Sequence, residues 1–208
     1  LVVTEGSSPE VAKALGIQQA QGELIALFCA DNRVLDARCL EKLCAPFESR
    51  SVVGSYTARY AVVPEDTSLS RYFALLGAND PVCWWFGKAD RLPWWGPDPP
   101  WSYTYDVVAP IPSLGDNGCV IRTDLLKRVS RDPQQHFCID AVEDLRRLGF
   151  SRWCQVGTTE VWHRSGSSFS DWFARRWRYV NELYWARLPD RRWRMVALRV
   201  CCSRRARV

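Results

Sequence analysis

Hydrophobic and polar positions along the chain follow two periods in turn. Ser8, Pro9 and Glu10 make a helix start: a hydroxyl to cap, proline at the first helical position, and an acid in the first turn. Val11, Ala14, Leu15 and Gln18 follow at helical spacing, and Gly22 ends the run. Residues 23–30, ELIALFCA, form a short continuous apolar run, the pattern of a strand buried on both faces. It stops at Asp31-Asn32. Asp36 then caps a second helix carrying Leu40, Leu43 and Phe47, and residues 51–60, SVVGSYTARY, read as another strand. Helix, buried strand, helix, strand is the rhythm of an α/β unit with parallel strands.

Residues 67–77 form a third helix, with Leu69, Tyr72, Phe73 and Leu76 on one side. From Asn79 to Pro112 the chain is rich in proline and tryptophan and holds no period, as expected of a lid or binding loop. LGDNGCVIRTDLLKRV then predicts a glycine-flanked turn, a short strand, and a helix capped by Thr123 or Asp124. Asp140 to Leu148 is a short helix stopped by Gly149. Its Val142, Leu145 and Leu148 face inward, leaving Asp140, Glu143, Asp144 and Arg147 outward. WCQVGTTEVWHRSGSS is strand-like up to His163. Asp171 to Arg187 is amphipathic, with Phe173, Trp177, Val180 and Tyr184 on one stripe and arginines on the other. No internal repeat is present.

Composition sharpens this picture in three respects. The 208 residues suffice for one sizeable core plus an appendage. The nine cysteines are odd in number, show no CxxC pair, and sit partly inside apolar runs such as that holding Cys29. They predict reduced, buried thiols in a cytosolic protein rather than a disulfide framework or zinc site. The net charge of +5 is uneven: from Asp171 onward eleven arginines face three acids, a balance of +8 that leaves −3 for the rest. Such a basic, tryptophan-bearing tail suits anionic lipid, nucleic acid or a diphosphate. No stretch reaches the roughly 18 apolar residues of a membrane span, and no signal peptide opens the chain.

Asp31 is the first candidate for chemistry. It follows directly on a buried strand, and ligands of open α/β sheets bind beyond the carboxyl ends of strands. A carboxylate there can hold Mg²⁺ or Mn²⁺ against diphosphate oxygens, although Asp-Asn after a strand is also a common turn.

Five segments in order now add up to a likeness. AKALGIQQAQGELIALFCADNRVLD resembles the helix, apolar strand and D-x-D-type acidic motif of family 2 glycosyltransferases. GDNGCVIRTDLL resembles that family's sugar-site turn and following strand, and CIDAVEDLRRLGF its acidic helix with the catalytic base. VWHRSGSS resembles its strand-then-histidine element, and ARRWRYV its Arg-Trp motif. The resemblance, over residues 11–180, implies an α/β fold of GT-A type: a mixed, mainly parallel sheet flanked by helices, an incomplete Rossmann-like domain. It implies a partial GT-A domain over 1–168 and a basic, Trp-rich helical extension over 169–208.

The activity so implied is transfer of a sugar from a nucleotide diphospho-sugar to an acceptor hydroxyl, inverting and metal-assisted. Asp140 is the expected base, with Asp144 and Glu143 as alternatives; solvated surface acids are the plainer reading. Asp31 would carry Mg²⁺ or Mn²⁺. His163 would be a second ligand or contact the diphosphate, or be structural. Arg176 would face the diphosphate and Trp177 pack by the acceptor, unless Trp177 belongs to the helix's core stripe. Asp116, Asn117 and Gly118 would approach the donor sugar or the acceptor. Lipid-linked or saccharide acceptors, and peripheral contact with the inner face of a membrane through the C-terminal helix, complete the expectation.

Three departures from the pattern stand out. The D-x-D position reads Cys29-Ala30-Asp31, so the first carboxylate is absent. Phe173 replaces the glutamine of the longer Q-x-x-R-W motif, which argues against processive polymer synthesis. The family's first, base-binding strands would precede LVVTEG. A catalytically inactive GT-A-like binding or partner subunit is therefore the alternative. Specific nucleic-acid binding ranks last, because the arginines are not interleaved with a known module.

Overall fold

The computed structural model describes residues 8–78, 91–94, 102–108, 114, 116–130, 132, 136–178 and 181. They form a mixed α/β protein with six helices and a curled sheet. The helices are α1 (Pro9–Gln19), α2 (Cys39–Cys44), α3 (Ser68–Leu76), α4 (Thr123–Val129), α5 (Cys138–Arg147) and α6 (Phe169–Arg178). The strands are β1 (Leu24–Leu27), β2 (Asn32–Val34), β3 (Gly54–Tyr60), β4 (Tyr103–Asp106), β5 (Cys119–Arg122) and β6 (Arg152–His163).

The sheet runs β1-β5-β3-β6-β2, and β4 also pairs with β6. Only β3 and β6 pair in parallel; the other four pairings are antiparallel. The expected mainly parallel sheet is thus corrected to a mostly antiparallel one. The helix–strand rhythm does give co-directional strands, since β1, β3 and β6 all run the same way. They are not all neighbours, however: β5 inserts between β1 and β3 and runs against both. Twelve-residue β6 is the spine, with β3 along one edge and β4 then β2 along the other.

Side-chain alternation distributes the core to both faces of this sheet. Ile25, Leu27, Tyr56, Cys119, Ile121 and Trp153 meet Ile17 of α1, Leu125 and Leu126 of α4, and Val142 and Leu145 of α5. Val120, Cys154 and Val156, one residue out of phase, meet Cys39 and Leu43 of α2. The register between β3 and β6 shifts between Thr57 and Arg59, where β6 carries two extra residues. That irregularity is tied to α2 by Lys42 Nζ on the Thr158 carbonyl (3.0 Å) and by Thr159 Oγ1 on Cys39 Sγ (3.1 Å).

Most local signals act as their chemistry requires. Ser8 Oγ accepts from Val11 N at the head of α1. Thr67 caps α3, and Gly77 closes it at φ 68°, the left-handed C-terminal position that glycine takes without a Cβ clash. Other expectations change. Ala26 is exposed where β1 ends the strand order, although Leu24 and Phe28 on the same face pack partly against the α2 cluster. α4 begins at Thr123 itself, whose hydroxyl donates to the Gly22 carbonyl instead of capping the helix. Asp36 forms a turn three residues before the first residue of α2, accepting from Arg38 N. Tyr72 is exposed on α3. β4 arises inside the segment thought to lack regular structure; most of 79–112 lies outside the described residues, as do Val180 and Tyr184. All six described cysteines are free thiols, and no described helix is long and apolar enough to cross a membrane.

Candidate functional site

Because β1, β3 and β6 point one way, their carboxyl ends converge on one rim of the sheet, where ligands of α/β proteins gather. Asp31 lies just past β1, Tyr60 ends β3 and His163 ends β6. The turn of Asp116, Asn117 and Gly118 leads into antiparallel β5 and so reaches the same rim. β2 pins the arrangement, since Asn32 pairs with His163.

Asp31 Oδ2 stands 3.4 Å from His163 Nε2, with the carboxylate side chain 46 % exposed and the imidazole 11 %. The hydrogen bond from His163 leads the causes that hold the Asp31 carboxyl below its ordinary pKa, against the opposing effect of burial. The Asp31 carbonyl accepts from Arg164 N (3.3 Å), which fixes the chain around the pair. Together they line an open pocket of about 210 Å³ with Arg164, Ser165, Trp172, Arg175 and Arg176. Three arginines therefore line it with the Asp31 carboxylate, one of them, Arg175, already paired with Asp171. Its volume falls below the roughly 300 Å³ at which drug-sized pockets begin, so it suits a phosphate-sized group rather than a whole nucleotide sugar. Arg175 is positioned by the Ser165 carbonyl (2.8 Å) and the Asp171 carboxylate (3.2 Å).

As a metal site the pair offers a partial donor set. A gap of 3.4 Å suits neighbouring ligands on one ion with bonds of about 2.1 Å. Two protein donors suffice only for a hard ion that completes its shell from phosphate oxygens and water, the usual habit of Mg²⁺. Among the described residues no group of three or more His, Cys, Asp or Glu is placed to hold a metal.

Beside the pocket lies a half-buried polar knot centred on Asp116. One oxygen, Oδ1, accepts from Lys13 Nζ (2.9 Å), Cys29 Sγ (2.9 Å) and Asn117 N (3.1 Å). Cys138, opening α5, places its thiol 3.9 Å from the same ammonium. Burial, then the Asp116 charge, raises the Cys29 thiol to about 12, and burial first of all lifts Cys138 well above the ordinary thiol range. Both are therefore neutral at neutral pH, and Asp116 is the ionised partner of Lys13. Burial resists the Asp116 charge, but the Lys13 charge and the hydrogen bonds from Cys29, Lys13 and Asn117 together hold the carboxyl below its usual pKa.

Asn117 is 1 % exposed and sits at φ 49°, a left-handed conformation that asparagine tolerates better than most residues. Its side chain accepts from Asn32 Nδ2 (3.0 Å), and its carbonyl accepts from Arg91 Nη2 (2.7 Å). Arg91 is itself 3 % exposed and lies over the rings of Tyr56 (4.8 Å) and Tyr60 (5.1 Å). Gly118, at φ 81°, backs onto Val161, where a Cβ would stand 3.3 Å from the valine side chain. Of the three turn residues named from sequence, Asp116 alone keeps an opening to solvent, with 28 % of its side chain exposed.

The acidic helix differs from expectation. Asp140 and Glu143, read as outward-facing, are each 4 % exposed, whereas Leu148, read as inward-facing, is half exposed. Glu143 accepts from Arg146 (2.7 and 2.8 Å) and from Arg147 (2.7 Å), so its carboxylate is committed to ion pairs. Asp140 lies in the first turn of α5, whose opening residue Cys138 abuts the Lys13–Asp116 pair; Asp144, one turn on, is partly buried.

Arg176 joins Asp31 and His163 in the pocket, but Trp177 does not line it and is 64 % exposed, which also removes it from a core stripe. Trp172 takes the inward place, packed edge-on against Phe73 of α3 at 5.5 Å. Sequence reasoning missed Arg164, Arg175 and Trp172, and the Lys13–Asp116 contact across 103 residues. Only the run of arginines next to the histidine strand hinted at the first two. No protein-family model matches the chain, and no curated protein matches it.

Proposed function

We propose that the chain is a glycosyltransferase resembling family 2, with a GT-A-like architecture, that moves a sugar from a nucleotide diphospho-sugar to an acceptor hydroxyl. One observation carries this reading: Asp31 and His163, expected to hold the metal, and Arg176, expected to face the diphosphate, lie up to 145 positions apart yet line one phosphate-sized pocket at the carboxyl rim of the sheet. Asp31 and His163 would hold Mg²⁺ or Mn²⁺, which supplies positive charge to the departing diphosphate. Arg164, Arg175 and Arg176 would bind the phosphate oxygens and stabilise the charge that grows as the bond from the anomeric carbon to the phosphate oxygen breaks. The acceptor oxygen, a saccharide's or a lipid-linked sugar's, attacks that carbon from the opposite face, and a carboxylate takes its proton. Asp140, at the start of the helix where the resemblance places the carboxylate, is the proposed base and Asp144 the second choice; Glu143 is held by two arginines.

The test is release of nucleoside diphosphate from UDP- and GDP-sugars, with Mn²⁺ and a panel of saccharide and lipid-linked acceptors. Acceptor-dependent release that falls about a hundredfold or more in Asp140→Asn is the expected outcome. No release from any donor by the folded chain would refute it. A second reading, a non-catalytic GT-A-like binding subunit, is favoured by Cys29: at the first carboxylate position of the acidic motif stands a neutral thiol that donates inward to Asp116. Donor binding without turnover would select that reading.

A further inference from the structure

The rim of the sheet opposite to Asp31 carries a groove of its own. β3 spans seven residues between the two rims, roughly 20 Å. Two openings of about 450 and 360 Å³ lie where β3 and β6 begin, and Ser51 and Arg152 border both. Each falls in the size range of small-molecule sites, unlike the pocket of Asp31. Groups of both signs share the larger opening: Arg50, Arg122 and Arg152 lie among Asp106 and Asp124. The Val52, Phe47 and Ser49 carbonyls anchor Arg122 through Nε and Nη2, which leaves its Nη1 unused. Arg152 stands 3.6 Å from Asp106, which also accepts from Ser151 Oγ (3.0 Å). Arg50 and Asp124 are exposed and make no side-chain hydrogen bond or ion pair among the described residues. The smaller opening exchanges charge for hydroxyls: Ser49, Ser51, Ser102 and Thr104 line it with Arg152, and no described carboxylate does.

We infer that this groove binds a neutral oligosaccharide, with one sugar ring in each opening. The balance of donors and acceptors decides the ligand. A sugar hydroxyl both donates and accepts, so it is matched by guanidiniums, carboxylates and hydroxyls set side by side. Phosphate only accepts, and would be repelled by Asp106 and Asp124; an amine only donates, and would be repelled by three guanidiniums. A zwitterion matches Arg50 and Asp124 but has no use for the hydroxyl-lined half. Each opening also offers apolar surface to the C–H face of a ring, Phe150 in the larger and Pro46 in the smaller. Arg50 and Asp124 spend nothing on the fold, so they are the donor and the acceptor that a ligand engages first. The inference is independent of the glycosyltransferase reading, since the groove shares no residue with the Asp31 pocket and needs neither nucleotide nor metal.

The test is calorimetric titration of the full chain with di- and trisaccharides of glucose, mannose, galactose and N-acetylglucosamine, without nucleotide or metal. Inorganic phosphate and alanine serve as charged probes. A double variant, Arg50→Ala with Asp124→Ala, and the single variant Asp31→Ala are run in parallel, their folds checked by circular dichroism. The expected result is saturable binding of at least one saccharide, weakened about tenfold or more in the double variant and unchanged in Asp31→Ala. No saccharide binding by the folded wild type would overturn the inference, as would equal binding by the double variant. Binding lost in Asp31→Ala would place the saccharide at the other rim and overturn it too. Binding of phosphate or alanine alone would assign the groove to a charged ligand instead.

Discussion

Asp116 shows how one carboxylate can organise a rim. It neutralises Lys13 from α1, takes the Cys29 thiol that follows β1, and closes its own turn through Asn117 N, so three elements are fixed through one oxygen atom. His136 lies close enough to feel the Lys13 and Asp116 charges. It is 4 % exposed and bonds Ser130 Oγ through Nδ1 at 2.8 Å. Burial, reinforced by Lys13, pulls its pKa from 6.5 to about 4. The folded chain therefore holds His136 neutral where the unfolded chain protonates it. Its stabilising effect is complete above pH 6.5 and is lost as the pH falls towards 4, a linkage of about 3 kcal/mol. Carboxylates with lowered pKa, Asp31 and Asp116 among them, act in the same direction but at more acid pH, so the upper window belongs to His136. Urea denaturation near neutrality and at about pH 4.5 should show a stability loss in the wild type that is much smaller in His136→Gln. Equal losses in both proteins would contradict the assignment.

Among the elements, β6 carries the most structure, and its close approach to β3 depends on Gly54. A Cβ at that position would land inside the ring of Trp153, a fully buried side chain paired across the parallel register. Gly54→Ala should therefore destabilise by about 3 kcal/mol, visible as a lowered thermal midpoint; an unchanged midpoint would mean that the two strands separate easily. What the sequence told of each element depended on whether its determinants were local. The α1 cap, the α3 helix, the β3 and β6 runs and the helical period of α5 were legible, because a hydroxyl, a glycine or a period settles them within a few residues. Strand order was not: nothing near Cys119–Arg122 says that β5 inserts between β1 and β3. β4 was hidden because its four residues, YTYD, lie among prolines and tryptophans that mask a two-residue period. Asp140 and Glu143 read as outward because helical spacing marks the apolar stripe but not what packs beside it.

For the whole molecule, the central claim is that residues from distant parts of the chain meet in an anion site at one rim of the sheet. Asp31, His163 and Arg176 were legible from their order in the resemblance; Arg164, Arg175 and Trp172 became so only once β6 and α6 were seen to turn back past Asp31. The Asp31 side chain is nearly half exposed, so its contact with His163 contributes about 1 kcal/mol at most, and Asp31→Ala should leave the fold intact. That makes it a clean probe of binding. Calorimetric titration of UDP and GDP into the chain, with and without Mn²⁺, tests the claim most directly. The account predicts metal-dependent binding that Asp31→Ala abolishes and Arg176→Gln weakens about tenfold or more. Absence of binding by the folded wild-type chain, or binding indifferent to both the metal and Asp31, would contradict it.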